Sequence, residues 1–147
     1  HAGQLQGRRL RISPHLLRVP AEPANATLQH FYGSLVPVLR HPVLRNGDWR
    51  LLDCLPAWAG NWTADCIIAS AWTNGDNARI VVVVNYAANQ SQCYARMPWA
   101  DLDGRAVQLK DLLGAASYDR NGRDLLARGL YLDLAPWTYH AFELTAV

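Results

Sequence analysis

Cysteine is scarce in this chain of 147 residues: Cys54, Cys66 and Cys93 are all it has. None stands in CxxC spacing, which excludes the common structural zinc frameworks. Cys54 and Cys66 bracket one loop and could be bridged. Buried free thiols are the expected state, because an odd count leaves one thiol unpaired in any case. Long apolar runs are also missing. None approaches the about 20 residues of a membrane span, and no secretory signal pattern is present. The formal net charge is only +2, too small to argue for nucleic acid or an anionic membrane surface as a partner. There is no internal repeat and no low-complexity tract. No cofactor is expected. The first residue is His1, so the chain is expected to be a piece of something longer. It is expected to be soluble and bacterial, with the cytoplasm favoured over secretion.

What is present is a normal globular balance, half hydrophobic and 18% charged, in a length that suits one domain with a real core. The organising stretch is Ala78 to Ala87, ARIVVVVNYA. Its unbroken β-branched run, Ile80 to Val84, is stiff at χ1 and fits a pleated surface. Turn residues bound it. It therefore reads as a central strand buried on both faces. Cys66 to Trp72 is the strand before it. Between them Asn74-Gly75 signals a tight hairpin, since type I′ turns need positive φ at both central positions.

The chain before Pro23 shows no clean pattern. Arg8, Arg9, Arg11 and Arg18 alternate loosely with Leu10, Ile12, Leu16 and Leu17. Pro14, Pro20 and Pro23 argue against a long element. Asn25 to Arg40 is the one good helix, with Asn25 or Thr27 as N-cap. Leu28, Phe31, Tyr32, Leu35, Val38 and Leu39 make its apolar face. Pro37 predicts a kink or an early end. After Gly47 the chain reads as all-β. Strands are expected at Trp49 to Cys54, 66–72, 79–86, Ser91 to Met97, Arg105 to Asp111, Leu130 to Leu134 and Thr138 to Leu144. Asn121-Gly122 reads as a second hairpin turn. Short strands with turns every 8–12 residues mean a sandwich or barrel of antiparallel strands.

The carboxylates and histidines form no site at this level. Asp101-Leu102-Asp103-Gly104 could bind calcium but lacks the ligand count, and reads as a turn. His1, His15, His30, His41 and His140 show no metal-ligand spacing, so no metal residue is assigned. Asn25, Asn61 and Asn89 match the glycosylation acceptor pattern. The tryptophans are more informative, because aromatic faces stack on sugar rings. Trp58, Trp62 and Trp99 fall in or beside loops, where binding residues concentrate. With Asn61 as a polar partner they are the candidate carbohydrate contacts. The competing reading is that these rings pack against a neighbouring domain or plug the sandwich ends, since large aromatics more often serve cores and interfaces. Trp49, Trp72 and Trp137 are expected in the core.

The order of motifs carries a resemblance. A helix and its sequel read FYGSLVPVLRHPVLRNGDWRLLD, then comes AWAGN, then VVVVNYA, then VQLKDLLGAASYDRNGRDL, and last GLYLDLAPWTYHAFEL. This resembles the C-terminal end of α-amylase-type enzymes of glycoside hydrolase family 13. The opening resembles the loop after the eighth barrel strand, with Ala2 where relatives often read Glu. The resemblance implies that residues 1–46 are the end of a (β/α)8 barrel, with its last helix at about 25–40. Residues 47–147 would be domain C, an antiparallel Greek-key β-sandwich. It implies a non-catalytic role, stabilising a barrel that handles α-glucan. The family's aspartate nucleophile, glutamate acid/base and second aspartate belong to earlier barrel strands, so no catalytic residue is assigned here. The expected partner is that barrel, with α-glucan as a further one. A helix face of Leu28, Phe31, Leu35 and Leu39 deprived of its barrel would favour self-association; monomeric behaviour at high concentration would count against this. A carbohydrate-binding module, or an unrelated β-sandwich interaction domain, are the alternative readings.

Overall fold

The computed structural model describes residues 2–10, 13, 15, 18, 21–75 and 78–146. They divide into two compact units, His1–Arg40 and His41–Val147.

The first unit holds a one-turn helix, α1 (Ala2–Leu5), and α2 (Ala26–Leu39). Asn25 is the N-cap of α2: its Oδ1 accepts from the Leu28 amide at 3.0 Å, satisfying one of the orphan donors of the first turn. Gly7 comes close to that cap at a φ of +67°, where a Cβ would crowd Asn25. The Glu22 carboxylate accepts from the amides of Arg9 (2.7 Å) and Leu10 (3.2 Å). The Arg9 amide bond holds its pKa below the usual carboxylate value. Pro37 does not end α2, which runs on to Leu39. Only one intrahelical bond, to Gly33, is lost that close to the C-terminus. Ile12, Pro14, Leu16, Leu17 and Pro20 lie outside the described residues, as do His1, Arg11 and Asp76.

The second unit is mainly β, an antiparallel sandwich. A short helix, α3 (Pro42–Asn46), comes first. Strands β1 (Asp48–Leu51), β2 (Cys54–Pro56), β3 (Ile67–Thr73), β4 (Arg79–Asn85) and β5 (Ser91–Ala95) follow. Then come β6 (Ala106–Asp111), β7 (Ser117–Asn121), α4 (Gly122–Arg128), β8 (Leu130–Leu134) and β9 (Tyr139–Ala146). The larger sheet runs β1-β3-β4-β9-β6-β7 and the smaller β2-β5-β8. The last strand thus inserts between β4 and β6. The core is the alternating inner face of each strand. Ala69, Ala71, Val81, Val83, Val107, Leu109, Phe142 and Leu144 come from one sheet, and Cys93, Ala95, Leu130, Leu132 and Leu134 from the other.

The central position expected of ARIVVVVNYA is the observed one, since β4 pairs with β3 and β9. Its inner residues Val81 and Val83 are fully buried, and so is outward-facing Ile80. Helix α3 lies against β3 and β4.

The hairpin expected around Asn74-Gly75 forms, as β3 with β4, but neither Asn-Gly pair makes the tight turn expected of it. In the first hairpin Thr73 pairs with Arg79, so the loop has five residues and is no two-residue turn. The Ala78 amide donates to Asn74 Oδ1 at 3.2 Å, an Asx closure that the dipeptide rule ignores. At the second, Asn121 ends β7 and caps α4, its Oδ1 accepting from Arg123 and Asp124 amides. Gly122 is glycine because a Cβ there would run into the Leu102 carbonyl. The expected strand from Trp49 to Cys54 is two strands in different sheets, broken at Leu52 and Asp53. The core tryptophans also need correction. Trp49 and Trp137 are each 58% exposed, and Trp72 is half-buried. Trp49 and Trp72 pair across the outward face of the large sheet, where strand membership does not mean burial. All three cysteines are free thiols. The neighbour of Cys54 is Cys93, not Cys66. The Cys93 thiol is held up by its hydrogen bond to Cys54 and by burial, and the same bond lowers the Cys54 pKa.

Candidate functional site

The loop after β2 is tightened by the Asn61 amide donating to the Trp58 carbonyl at 3.1 Å. Gly60, at a φ of +82°, supplies the left-handed residue this turn needs. The Asn61 side chain is buried, and its Oδ1 accepts from the Ala64 amide (3.1 Å) and the Thr63 hydroxyl (3.2 Å). This fixes the short 3-10 turn Thr63–Cys66. Asn61 Nδ2 is buried without a partner. The two flanking rings point to solvent, Trp58 at 56% and Trp62 at 66% exposed. Asn61 therefore holds two rings in place without itself being open to a ligand.

From this loop a polar row crosses the outer face of the small sheet. Thr63 Oγ1 meets Gln92 twice, at Oε1 (3.3 Å) and at the backbone amide (3.1 Å). Gln92 and Gln90 both donate their side-chain amides to Asp133 Oδ1, at 3.0 and 2.7 Å. Alongside, Tyr94 and Tyr131 pack with centroids 5.3 Å apart, and Arg128 donates to the Tyr94 hydroxyl at 2.7 Å. The Tyr131 pKa is pushed up by burial and by the Asp133 charge. Nothing in the local pattern of QSQCYA or LYLDL announces this row. Only the register that sets Gln92 beside Asp133 and Tyr94 beside Tyr131 reveals it.

Trp99 does not join that surface. Its indole N–H donates to Thr73 Oγ1 at 2.6 Å, and the Arg79 guanidinium lies 5.2 Å from its ring. Thr73 is the far end of β3 from the Trp58–Trp62 loop, about 20 Å away at a strand's rise. The ring is buried, and with Leu102 it closes that end of the sandwich. Arg79 is itself buried and pairs with Asp101 at 2.5 Å.

At the opposite end the Ala135–Thr138 turn carries Trp137 at a φ of +57°, the one described non-glycine residue in the left-handed region. Such a position costs on the order of 1–3 kcal/mol. Asn85, fully buried, fixes the turn: its Nδ2 meets the carbonyls of Asn89, Leu134 and Ala135 at 2.7–3.1 Å. Beside it Asp111 is buried. One carboxylate oxygen accepts from the Leu113 and Ala141 amides and the other from His140 Nδ1 at 2.8 Å. Asp111 and His140 were missed at the sequence level, where the histidine is merely one member of a strand. The signal that could have found them is an Asp at an inward strand position, a place that demands partners.

Among the described residues no group of three or more His, Cys, Asp or Glu could hold a metal ion. Nor is any helix of the described residues long and apolar enough to cross a membrane. His41 Nε2 and Glu143 approach to 3.6 Å without forming a larger cluster.

No family model matches the chain, and no curated protein matches it. Among solved structures it is similar to the trehalulose synthase MutB from Pseudomonas mesoacidophila MX-45, and to a mutant of trehalulose synthase MutB. In both cases the identity is 22% and the TM-score 0.49, over 80% of this chain and 18% of that chain. The chain spans less than a fifth of the length of these structures.

Proposed function

We propose that residues 47–147 are the non-catalytic C-terminal domain of an α-amylase-family glycoside hydrolase, and that residues 1–46 are the end of its barrel. The observation that carries this reading is the order of motifs from FYGSLVPVLR to APWTYHAFEL, laid on an antiparallel sandwich of six and three strands. The carboxylates support a structural role. Asp111 is tied to two amides and a histidine, Asp101 to Arg79, and Asp103 to Arg123. Retaining hydrolysis would need two carboxyls facing a bond, about 5 Å apart. The outer face of the large sheet exposes Trp49, Leu51 and Ile68, an apolar strip suited to lie against the barrel. The test is the reading frame upstream of His1. A continuous frame encoding barrel strands with an aspartate nucleophile and a glutamate acid/base is the expected result. A frame encoding an unrelated domain would sink the proposal.

A second reading is favoured by the exposure of Trp58 and Trp62. These rings, held by Asn61 and continued by the Gln92–Asp133 row, would give the domain a surface contact with α-glucan. Trp99 would take no part in it directly. Tryptophan fluorescence titrated with maltooligosaccharide reads this contact. Loss of the response in a Trp58→Ala, Trp62→Ala double variant is expected, and an unchanged response removes the reading.

A further inference from the structure

We propose that the groove at the start of β9 is a carbohydrate site, in which a pyranose ring stacks on Trp137 and a sugar hydroxyl donates to Nε2 of His140. The ligand class rests on the reading above, that the chain serves an α-glucan enzyme. The groove itself rests on geometry. It is an open depression of about 480 Å³, lined by Trp137, His140, Asp133 and the buried Asp111, a size common for small-ligand sites.

Each part of the groove is held before a ligand arrives. Trp137 lies exposed at a backbone angle that favours glycine, so neither core packing nor local preference accounts for the ring. Its ring partner among the described residues, Tyr86, is more exposed still, and meets it edge-on at 5.7 Å and 84°. Its turn is tied by the Thr138 amide to the Ala135 carbonyl (3.3 Å), and by the Trp137 amide to the Ala87 carbonyl (3.2 Å). Buried Asp111 takes His140 Nδ1–H at 2.8 Å, a pairing that in the neutral imidazole turns Nε2 into the acceptor. The same pairing of histidine with carboxylate orients imidazoles in other sites.

The remaining chemistry selects the ligand. Asp133 keeps one oxygen beyond the one taken by Gln90 and Gln92. Among the described residues no Arg or Lys lines the groove, which disfavours phosphate, nucleic acid and acidic peptides. A flat aromatic face beside acceptors, without a cation, suits a neutral ring bearing hydroxyl donors. Fixing the ring and the imidazole in advance lowers the ordering cost of binding.

The test is a titration of the full chain with maltotriose, followed by the indole N–H resonances in ¹⁵N–¹H spectra. Each tryptophan variant assigns its own resonance. The expected result is a shift of the Trp137 resonance with a dissociation constant in the millimolar range, and, read through the backbone amides of Thr138 and His140 in the same spectra, a loss of affinity of at least about tenfold in Trp137→Gly. Glycine takes the turn's φ without strain, so an unchanged melting curve certifies that this variant folds. The Trp58→Ala, Trp62→Ala double variant keeps the Trp137 shift. Shifts confined to Trp58 and Trp62 overturn the proposal and leave the other surface standing. A Trp137 shift with tetramethylammonium but none with maltotriose also overturns it. So does the absence of any shift at about 10 mM sugar. A Trp137 response in a chain whose upstream frame lacks a barrel would uphold this site and remove only the reading of its parent.

Discussion

Strand β4 begins at Arg79 and ends at Asn85, and the sandwich treats its two ends differently. Both residues are polar and buried. Arg79 lies under a tryptophan that the chain has drawn in: Trp99 is 9% exposed and bonded to Thr73. Asn85 ties the turn of a tryptophan that the chain holds out: Trp137 is 58% exposed, in a left-handed turn. At the first end a large ring closes the core and a charged pair trims its rim. At the second a neutral amide ties two loops and the ring is left for something else. The same residue type next to a strand therefore serves packing in one place and presentation in the other. Burial and backbone angle separate the two roles, and composition does not.

The sharpest break of this comparison is truncation of the two rings. Trp99→Ala removes a buried indole from contact with Leu102 and Arg79 and leaves a cavity. A loss of about 3–5 kcal/mol is expected. Trp137→Ala changes stability by no more than about 0.5 kcal/mol, as exposed positions usually do. Denaturant melts of the two variants read the difference. Equal losses would mean that Trp137 is a structural plug like Trp99, and the contrast would be void.

The next effect is at Asn85. Asn85→Ala takes the side-chain donor from the buried Leu134 carbonyl and the acceptor from the buried Ser91 hydroxyl, while the Ala135 carbonyl keeps Thr138. Leaving buried acceptors unpaired costs about 1–3 kcal/mol. The loss should be local in its signature. The Trp137 amide, bonded to the Ala87 carbonyl, is expected to exchange its hydrogen faster, while amides at the Arg79 end keep their protection. Uniform loss of protection at both ends would show that the knot supports the whole sandwich and not one turn.

Much of the fold was legible because β-branching and alternation are local. The run Ile80 to Val84 announced the central strand, and the alternation in AVQLKD gave β6 its inward Val107 and Leu109. What failed depended on distant partners. Asn121-Gly122 looks like a turn in isolation, but Gly122 is set by the Leu102 carbonyl from an earlier loop. Trp49 looks like core until β1 proves to be an edge strand with its ring on the outward face. The candidate site was legible only in part. The loop tryptophans Trp58 and Trp62 are exposed as such residues tend to be, and the Asn61 between them turned out to be a scaffold. Trp137 was hidden by the strand-like context of LAPWTYHAFEL. Its exposure follows from the turn at Pro136 and the Asn85 knot, contacts made across about fifty residues of chain.

The smallest expected effect separates the two ends by charge. Arg79 lowers the pKa of Asp101 through their hydrogen bond, whereas the Asn85 knot contains no titratable group. A carboxylate whose folded pKa lies below its ordinary value, 3.8, adds stability that is present above that value. That contribution is lost as the pH falls through the lower, folded value. The Asp101 side chain is 48% exposed, so water and salt screen the pair, and its worth is about 0.5 kcal/mol or less. The native protein should therefore exceed Asp101→Asn in stability by that small margin at pH 6. The margin should shrink as the pH is taken below about 4, and at pH 6 it should shrink again in about 1 M salt, where the screening length is about 3 Å. Thermal melts of the two proteins across pH read it. A margin that grows on acidification would mean that Asp101 is favoured in its protonated form, and that the rim of the Trp99 plug is not held by the Arg79 pair.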